Sequence, residues 1–157
     1  MPIRSSLTAL VLFLAPLAYT SAYASDVLTH EEAILRNQQI NDVRYALSMD
    51  ISRGDKEFQG EVAMAFNWKA SKEPLRIDFH KGDVVSLKVN DKAVPYSYDK
   101  AALTVRPSFF KEGANTITVA FKHSYSQDGA GLYRFTDPED RRTYLFSQFE
   151  PYDANHM

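Results

Sequence analysis

His30-Glu31-Glu32-Ala33-Ile34 opens like the H-E-x-x-H helix, in which two histidines hold a zinc ion and the first glutamate acts as base. Both rings reach one metal only if the second histidine follows a turn later on the same helix face, and that place holds Ile34. The segment therefore reads as an ordinary helix start. His80, His123 and His156 are far apart along the chain with no ligand-like spacing, and each reads as a surface or strand residue. Neither a glycine-rich phosphate loop nor a G-x-S-x-G elbow is present. No catalytic residue and no metal ligand set is expected within the chain.

The other candidate chemistry lies at the end, in Tyr144-Leu145-Phe146-Ser147-Gln148-Phe149-Glu150-Pro151-Tyr152-Asp153-Ala154. An amide oxygen and a carboxylate two residues apart on an extended chain share one face. Together they offer charge-assisted acceptors to an ammonium group, such as the free amino terminus of a peptide. On this reading Phe149 points the other way, into the domain, and Pro151 stops the strand ladder. On residue types alone, Gln148 and Glu150 read more readily as two polar residues on a solvated strand face.

A resemblance tips that balance. The Gln148-Phe149-Glu150-Pro151 run after a Tyr144-Leu145 strand and before Asp153-Ala154 resembles a segment of the aminopeptidase N-type (gluzincin) zinc aminopeptidases. Gly129-Ala130-Gly131-Leu132-Tyr133-Arg134-Phe135 is similar to the glycine-led segment before it, and Leu28-Thr29-x-Glu31-Glu32-Ala33 ahead of Tyr45-x-Leu47-x-Met49 is similar to the family's opening. The resemblance covers nearly all of residues 26–157, with its distinctive part in the last thirty. It implies a saddle-like, β-rich N-terminal domain that docks on a thermolysin-like catalytic domain. It also implies that Gln148 and Glu150 bind the substrate's α-amino group, and that zinc belongs to the intact enzyme and is not bound by this chain. Asn155-His156 stands where the family commonly has a basic residue after Asp-Ala, and Tyr152 where a small one is usual. The G-x-M-E-N strand, the H-E-x-x-H helix and the third zinc ligand would all follow Met157. The chain is thus expected to be inactive alone, a domain or fragment whose catalytic partner lies beyond it. The competing expectation is a stand-alone secreted β-sandwich binding module.

The elements that must position these residues follow from periodicity. Thr29 with Glu32 fits a capping box, with Glu31 and Glu32 in the first turn where the helix dipole favours negative charge, so a short surface helix should run to about Ile40. After Asp42 the period changes to two. Tyr45, Leu47, Met49 and Ile51 predict a half-buried strand; Val62, Met64, Phe66 and Trp68 a second; Leu75, Ile77 and Phe79 a third. Val85 to Val89, Val94 to Tyr98, Leu103 to Val105 and Ile117 to Phe121 continue the series, with tight turns at Gly54-Asp55, Lys81-Gly82-Asp83 and Asn90-Asp91-Lys92. Strands about every ten residues with turns between them specify an all-β fold, an antiparallel sandwich with one short N-terminal helix.

Arg4, the apolar run Leu7 to Ala18 and Ala22-Tyr23-Ala24 form a secretory signal over residues 1–24, too short for a membrane span of ~30 Å. With no Cys in the chain a lipoprotein anchor is excluded, and the remaining 25–157 is expected to be periplasmic or secreted, without disulfides. Eighteen basic against 20 acidic residues give a net charge of −2, or −3 once Arg4 is removed, and scattered charges of this kind do not fit nucleic acid.

Overall fold

The computed structural model describes residues 28–150. The signal segment 1–24, the stretch Pro151 to Ala154 and His156 lie outside the described residues. Helix α1 (His30–Gln39) begins as its capping box requires: the Glu32 N–H donates to Thr29 Oγ1 (3.2 Å) and the Thr29 N–H donates to the Glu32 carboxylate (3.0 Å). Strand β1 (Ile40–Asp50) follows directly, then β2 (Glu57–Trp68), β3 (Leu75–Asp78), β4 (Asp83–Val89), β5 (Lys92–Ala93), β6 (Tyr96–Tyr98), β7 (Ala102–Val105), β8 (Gly113–Ser124), β9 (Gly131–Thr136) and β10 (Thr143–Gln148). A 3-10 turn, Pro107–Phe109, precedes β8.

The named strands pair antiparallel in three sheets: five strands in the order β1-β2-β8-β4-β5, three in the order β3-β7-β6, and the β9–β10 hairpin. The first two form the expected sandwich. Met64, Phe66 and Trp68 on β2, Leu87 and Val89 on β4, and Ile117, Val119 and Phe121 on β8 are buried in one cluster with Leu75, Leu103 and Val105 of the smaller sheet. Phe58, Phe79, Phe121 and Tyr125 join it through ring pairs 5.2 to 6.3 Å between centroids.

The turn at Asn90-Asp91 is a two-residue hairpin connection, Val89 pairing with Lys92, and both turn residues have positive φ (49° and 65°). This mirror-image geometry matches the strand twist, and Asn and Asp tolerate it. The run from Val94 to Tyr98 is not the single strand that periodicity suggests. The chain leaves the large sheet after Ala93 and enters the small one at Tyr96, with Pro95 between them, where a missing N–H costs no ladder bond. Nor is Gln39 a surface residue of α1. It is buried, its Nε2 donating to the carbonyls of Glu73 (2.9 Å) and Pro74 (3.1 Å), while Arg36 grips Asp78 of β3 bidentately (2.6 and 2.7 Å). These contacts, 34 to 42 residues apart in sequence, fix the helix on the sandwich.

Gly60 marks a close approach inside the sheet. A Cβ there would lie 2.5 Å from the Phe121 ring and 3.0 Å from the Ser48 carbonyl oxygen. Gly60→Ala must therefore displace a core aromatic, and is expected to cost about 1–3 kcal/mol, read from a urea titration. A cost within 0.5 kcal/mol of zero, about the scatter of neutral surface changes, would show that the Phe121 ring can move freely.

Five surface aspartates carry pKa values below the ordinary carboxylate range. Ser52 hydrogen bonds lower Asp50, the Lys100 ammonium lowers Asp83, the Ser126 hydroxyl lowers Asp128 and the Tyr144 hydroxyl lowers Asp140. At Asp99 burial acts upward, but the Ala102 and Ala101 N–H groups and Arg76 outweigh it. A depressed folded pKa contributes stability that is fully present above the unfolded value of about 3.9 and is lost as pH falls through the folded value. The urea midpoint is thus expected to stay level from neutral pH down to roughly 5 and to drop as pH falls below about 4. A midpoint unchanged across that acid range would remove these carboxylates from the stability balance.

Candidate functional site

The hairpin that carries the Gln148 segment stands apart from the two packed sheets and is held by a few specific bonds. Leu132 enters the core; Arg134 reaches the Asp55 carboxylate (2.7 Å) and lies over the Tyr125 ring; the Ser126 N–H donates to the Leu132 carbonyl (2.8 Å). The charged connection is ordered by its own side chains. The Glu139 N–H donates to the Asp137 carboxylate and the Arg142 N–H to that of Asp140 (both 2.8 Å), the Tyr144 hydroxyl also donates to Asp140 (2.7 Å), and Arg141 takes φ 61°.

The register sorts the hairpin into two faces, because residues directly opposite in an antiparallel pair share a face. Leu145 opposite Arg134 and Ser147 opposite Leu132 make the face turned to the sandwich. Tyr144 opposite Phe135, Phe146 opposite Tyr133, and Gln148 opposite Gly131 make the other. That second face is uncovered: Phe135 is 42% exposed, Tyr144 45% and Phe146 50%, with the Tyr133 and Phe146 rings 4.6 Å apart. Gln148 ends this aromatic ladder, and Gly131 across from it has no side chain to cover the amide.

Strand β10 stops at Gln148 because its partner β9 begins at Gly131 and offers no further rung. Glu150 lies two residues on, in a turn, so strict strand alternation does not extend to it. Phe149 is 36% exposed, not packed into the domain as the alternation implied. Gln148 and Glu150 are both exposed, and among the described residues neither side chain has a hydrogen-bond or ion-pair partner. They form an amide and a carboxylate held close by two residues of backbone, free to accept donors from outside.

One juxtaposition was invisible in the sequence. His80, His123, Ser126 and Asp128 line a cleft of about 230 Å³. A serine, a histidine and an aspartate in one cleft suggest a nucleophile, but their bonding excludes it. The Ser126 hydroxyl donates to Asp128 (2.6 Å), while the His123 Nε2 lies 2.7 Å from the His80 carbonyl oxygen and its Nδ1 2.8 Å from that of Ser124. Both His123 ring nitrogens are turned to carbonyl oxygens and no hydrogen bond joins the ring to Ser126, so the hydroxyl is engaged by a carboxylate and not by a base. His30 is exposed at the start of α1 with Ile34 one turn on, and among the described residues no three His, Asp or Glu side chains are placed to share a metal ion. Nor, among those residues, is any helix long and apolar enough to cross a membrane.

With this geometry in view, comparison with known proteins is decisive for the family. The model of the peptidase M1 N-terminal domain matches residues 41–157. The chain belongs to that family. The chain is 27% identical over 136 residues to aminopeptidase N of Streptomyces lividans, a match that takes in 83% of this chain and 15% of that protein. Its fold is similar to that of leukotriene A4 hydrolase from Saccharomyces cerevisiae (TM-score 0.61, 14% identity, 77% of this chain and 21% of the other). It is likewise similar to Legionella pneumophila aminopeptidase A in complex with aspartic acid (TM-score 0.59, 16% identity, 75% of this chain and 15% of the other). The chain thus spans about a fifth or less of the length of these relatives. The β-rich fold, with a single α-helix among the described residues, is the one that the resemblance implied, and a stand-alone binding module is not favoured.

Proposed function

We propose that this domain is the front portion of an exported zinc aminopeptidase, and that Gln148 and Glu150 hold the α-ammonium of the peptide being trimmed. The observation that carries this reading is the exposed Gln148–Glu150 pair at the end of the hairpin, without a side-chain partner among the described residues and inside the family-matched stretch. An α-ammonium brings three N–H donors, and the pair supplies an amide oxygen and two carboxylate oxygens. A carboxylate acceptor makes the bonds charge-assisted and selects a free amine over a blocked one. The relatives include two proteins named aminopeptidases.

Cleavage itself belongs to a thermolysin-like catalytic domain beyond residue 157. Zinc bound there would polarise the scissile carbonyl and activate a water. The described residues offer no ligand set for that ion, and their contribution is to bind and orient the amine. The apolar run and Ala22-Tyr23-Ala24 support export through cleavage after residue 24.

The test is to read the gene beyond codon 157 and assay its full product. In-frame G-x-M-E-N and H-E-x-x-H segments are expected, with zinc-dependent release of N-terminal residues from free but not N-acetylated peptides. Absence of both segments, or equal cleavage of the acetylated peptide, would sink the reading. The 157-residue chain by itself is expected to show no turnover with added zinc.

A further inference from the structure

We infer that Arg134 is a positioning residue for amine binding: the joint it makes with Asp55 and Tyr125 sets where the hairpin holds Gln148 and Glu150. This rests on the amine-binding function proposed above and adds the side chain through which the sandwich acts on that site.

The sandwich side of the joint is tightly built. Asp55 lies in the β1–β2 connection, which Gly54 turns at φ 80°; a Cβ on Gly54 would meet the Glu57 carbonyl oxygen at 2.9 Å. Tyr125, just past the end of β8, is buried and spans that connection. Its N–H donates to the Lys56 carbonyl (2.9 Å) and its hydroxyl to that of Ile51 (3.4 Å).

Arg134 closes on both. Its guanidinium donates to the Asp55 carboxylate at 2.7 Å and stands 6.0 Å over the Tyr125 ring, while its backbone N–H donates to the Ser126 carbonyl (3.4 Å). A planar guanidinium lies over a ring and meets a carboxylate with its edge at the same time, which an ammonium does not. The hairpin transmits the placement. Its two strands pair without a register break from Thr143–Thr136 to Gln148–Gly131, with Leu145 directly opposite Arg134. Backbone bonds along such a ladder resist shear, so a tilt at Arg134 is carried to Gln148 and on to Glu150.

Magnitudes decide what kind of role this is. The Asp55 side chain is 86% exposed against 21% for Arg134, so the ion pair is screened at one end and adds little to folding. Binding geometry is more demanding than folding: productive contacts need placement within about 0.5 Å, and a misplacement of about 1 Å costs up to roughly 100-fold. A contact too weak to hold the fold is therefore strong enough to set the pose of the amine acceptors.

In the full gene product, Arg134→Ala is expected to raise KM for an aminoacyl chromogenic substrate about fivefold with kcat within about twofold, the size of one screened ion pair plus one exposed ring contact. Arg134→Lys should recover part of the loss. Asp55→Asn, at a site too exposed to threaten folding, should raise KM about twofold and add nothing in the Arg134→Ala background. In the 157-residue chain the same variants should speed amide exchange of β10 and leave β2 and β8 unchanged. Glu150→Ala is assayed alongside. A normal loss in Glu150→Ala with unchanged KM in both Arg134→Ala and Asp55→Asn overturns this inference and leaves the amine reading standing. An unchanged rate in Glu150→Ala overturns the amine reading, and this inference with it. A raised KM without faster β10 exchange would mean that Arg134 meets the substrate directly, and would overturn the positioning role.

Discussion

Glu150→Ala in the intact enzyme is expected to lower kcat/KM for peptides with a free amino terminus by roughly 10–100-fold, the range set by ~1.5–3 kcal/mol for a hydrogen bond to a charged group. The loss follows from the pairing of charges: with the carboxylate gone, the ammonium must shed water without an anionic acceptor. Gln148→Ala removes one neutral acceptor, and roughly 3–10-fold is expected from ~0.5–1.5 kcal/mol. Glu150→Gln keeps the shape and loses the charge, so it should fall close to Glu150→Ala if the charge carries the binding. Both side chains are exposed and without partners among the described residues, so thermal unfolding should stay within about 0.5 kcal/mol of the parent. Steady-state kinetics on an aminoacyl chromogenic substrate measures the effect. An unchanged kcat/KM in Glu150→Ala would remove amine recognition from this hairpin and leave the domain a scaffold.

Asn115→Ala should cost about 3 kcal/mol of folding stability, more than a polar-to-alanine change on a strand ordinarily does. The Asn115 amide is buried at the start of β8 and all its bonds go to protein. Its Oδ1 accepts from the Asn90 side-chain amide (2.9 Å) and the Lys111 N–H (3.1 Å); its Nδ2 donates to the carbonyls of Lys111 (2.7 Å) and Gly113 (2.8 Å). Truncation strands partners on two segments, the 111–113 turn and the β4–β5 connection, and each buried group left unsatisfied costs ~1–3 kcal/mol unless water reaches it. Asn90 continues the network, accepting the Thr116 N–H on its own side-chain oxygen (3.0 Å). Urea titration of the variant against the parent decides the matter. A loss under about 1 kcal/mol would mean that the turn relaxes and rehydrates its backbone groups.

The Asn90–Asn115 pair shows how the evidence divides between sequence and structure. Asn90-Asp91-Lys92 is legible as a tight turn because Asn and Asp are among the few residues that accept positive φ. That Asn90 also bonds a residue 25 positions on is not legible, since nothing local encodes the distance. The helix behaves in the same way. Its start is written in Thr29 and Glu32, three residues apart, while the burial of Gln39 depends on carbonyls of Glu73 and Pro74. The split of Val94 to Tyr98 between two sheets likewise turns on which strand each half meets, with Pro95 merely permitting it.

By itself the sequence determined the capped helix, the run of alternating strands, the tight turns and the Gln148-Phe149-Glu150 segment that ties the chain to its family, because each depends on neighbours within a few residues. The tertiary structure alone decided which apolar rows are covered. Tyr45-Leu47-Met49 on β1 and Val62-Met64-Phe66 on β2 have the same period, yet the second packs into the sandwich, whereas in the first only Met49 touches the core and Tyr45 and Leu47 are exposed among the described residues. Periodicity specifies which side chains share a face of a strand; burial requires a second layer above that face, and its reach is set by contacts from distant parts of the chain. The same reason separates Gln148, whose place is fixed by pairing with Gly131, from Glu150, which passes the end of the ladder and takes its position from the turn.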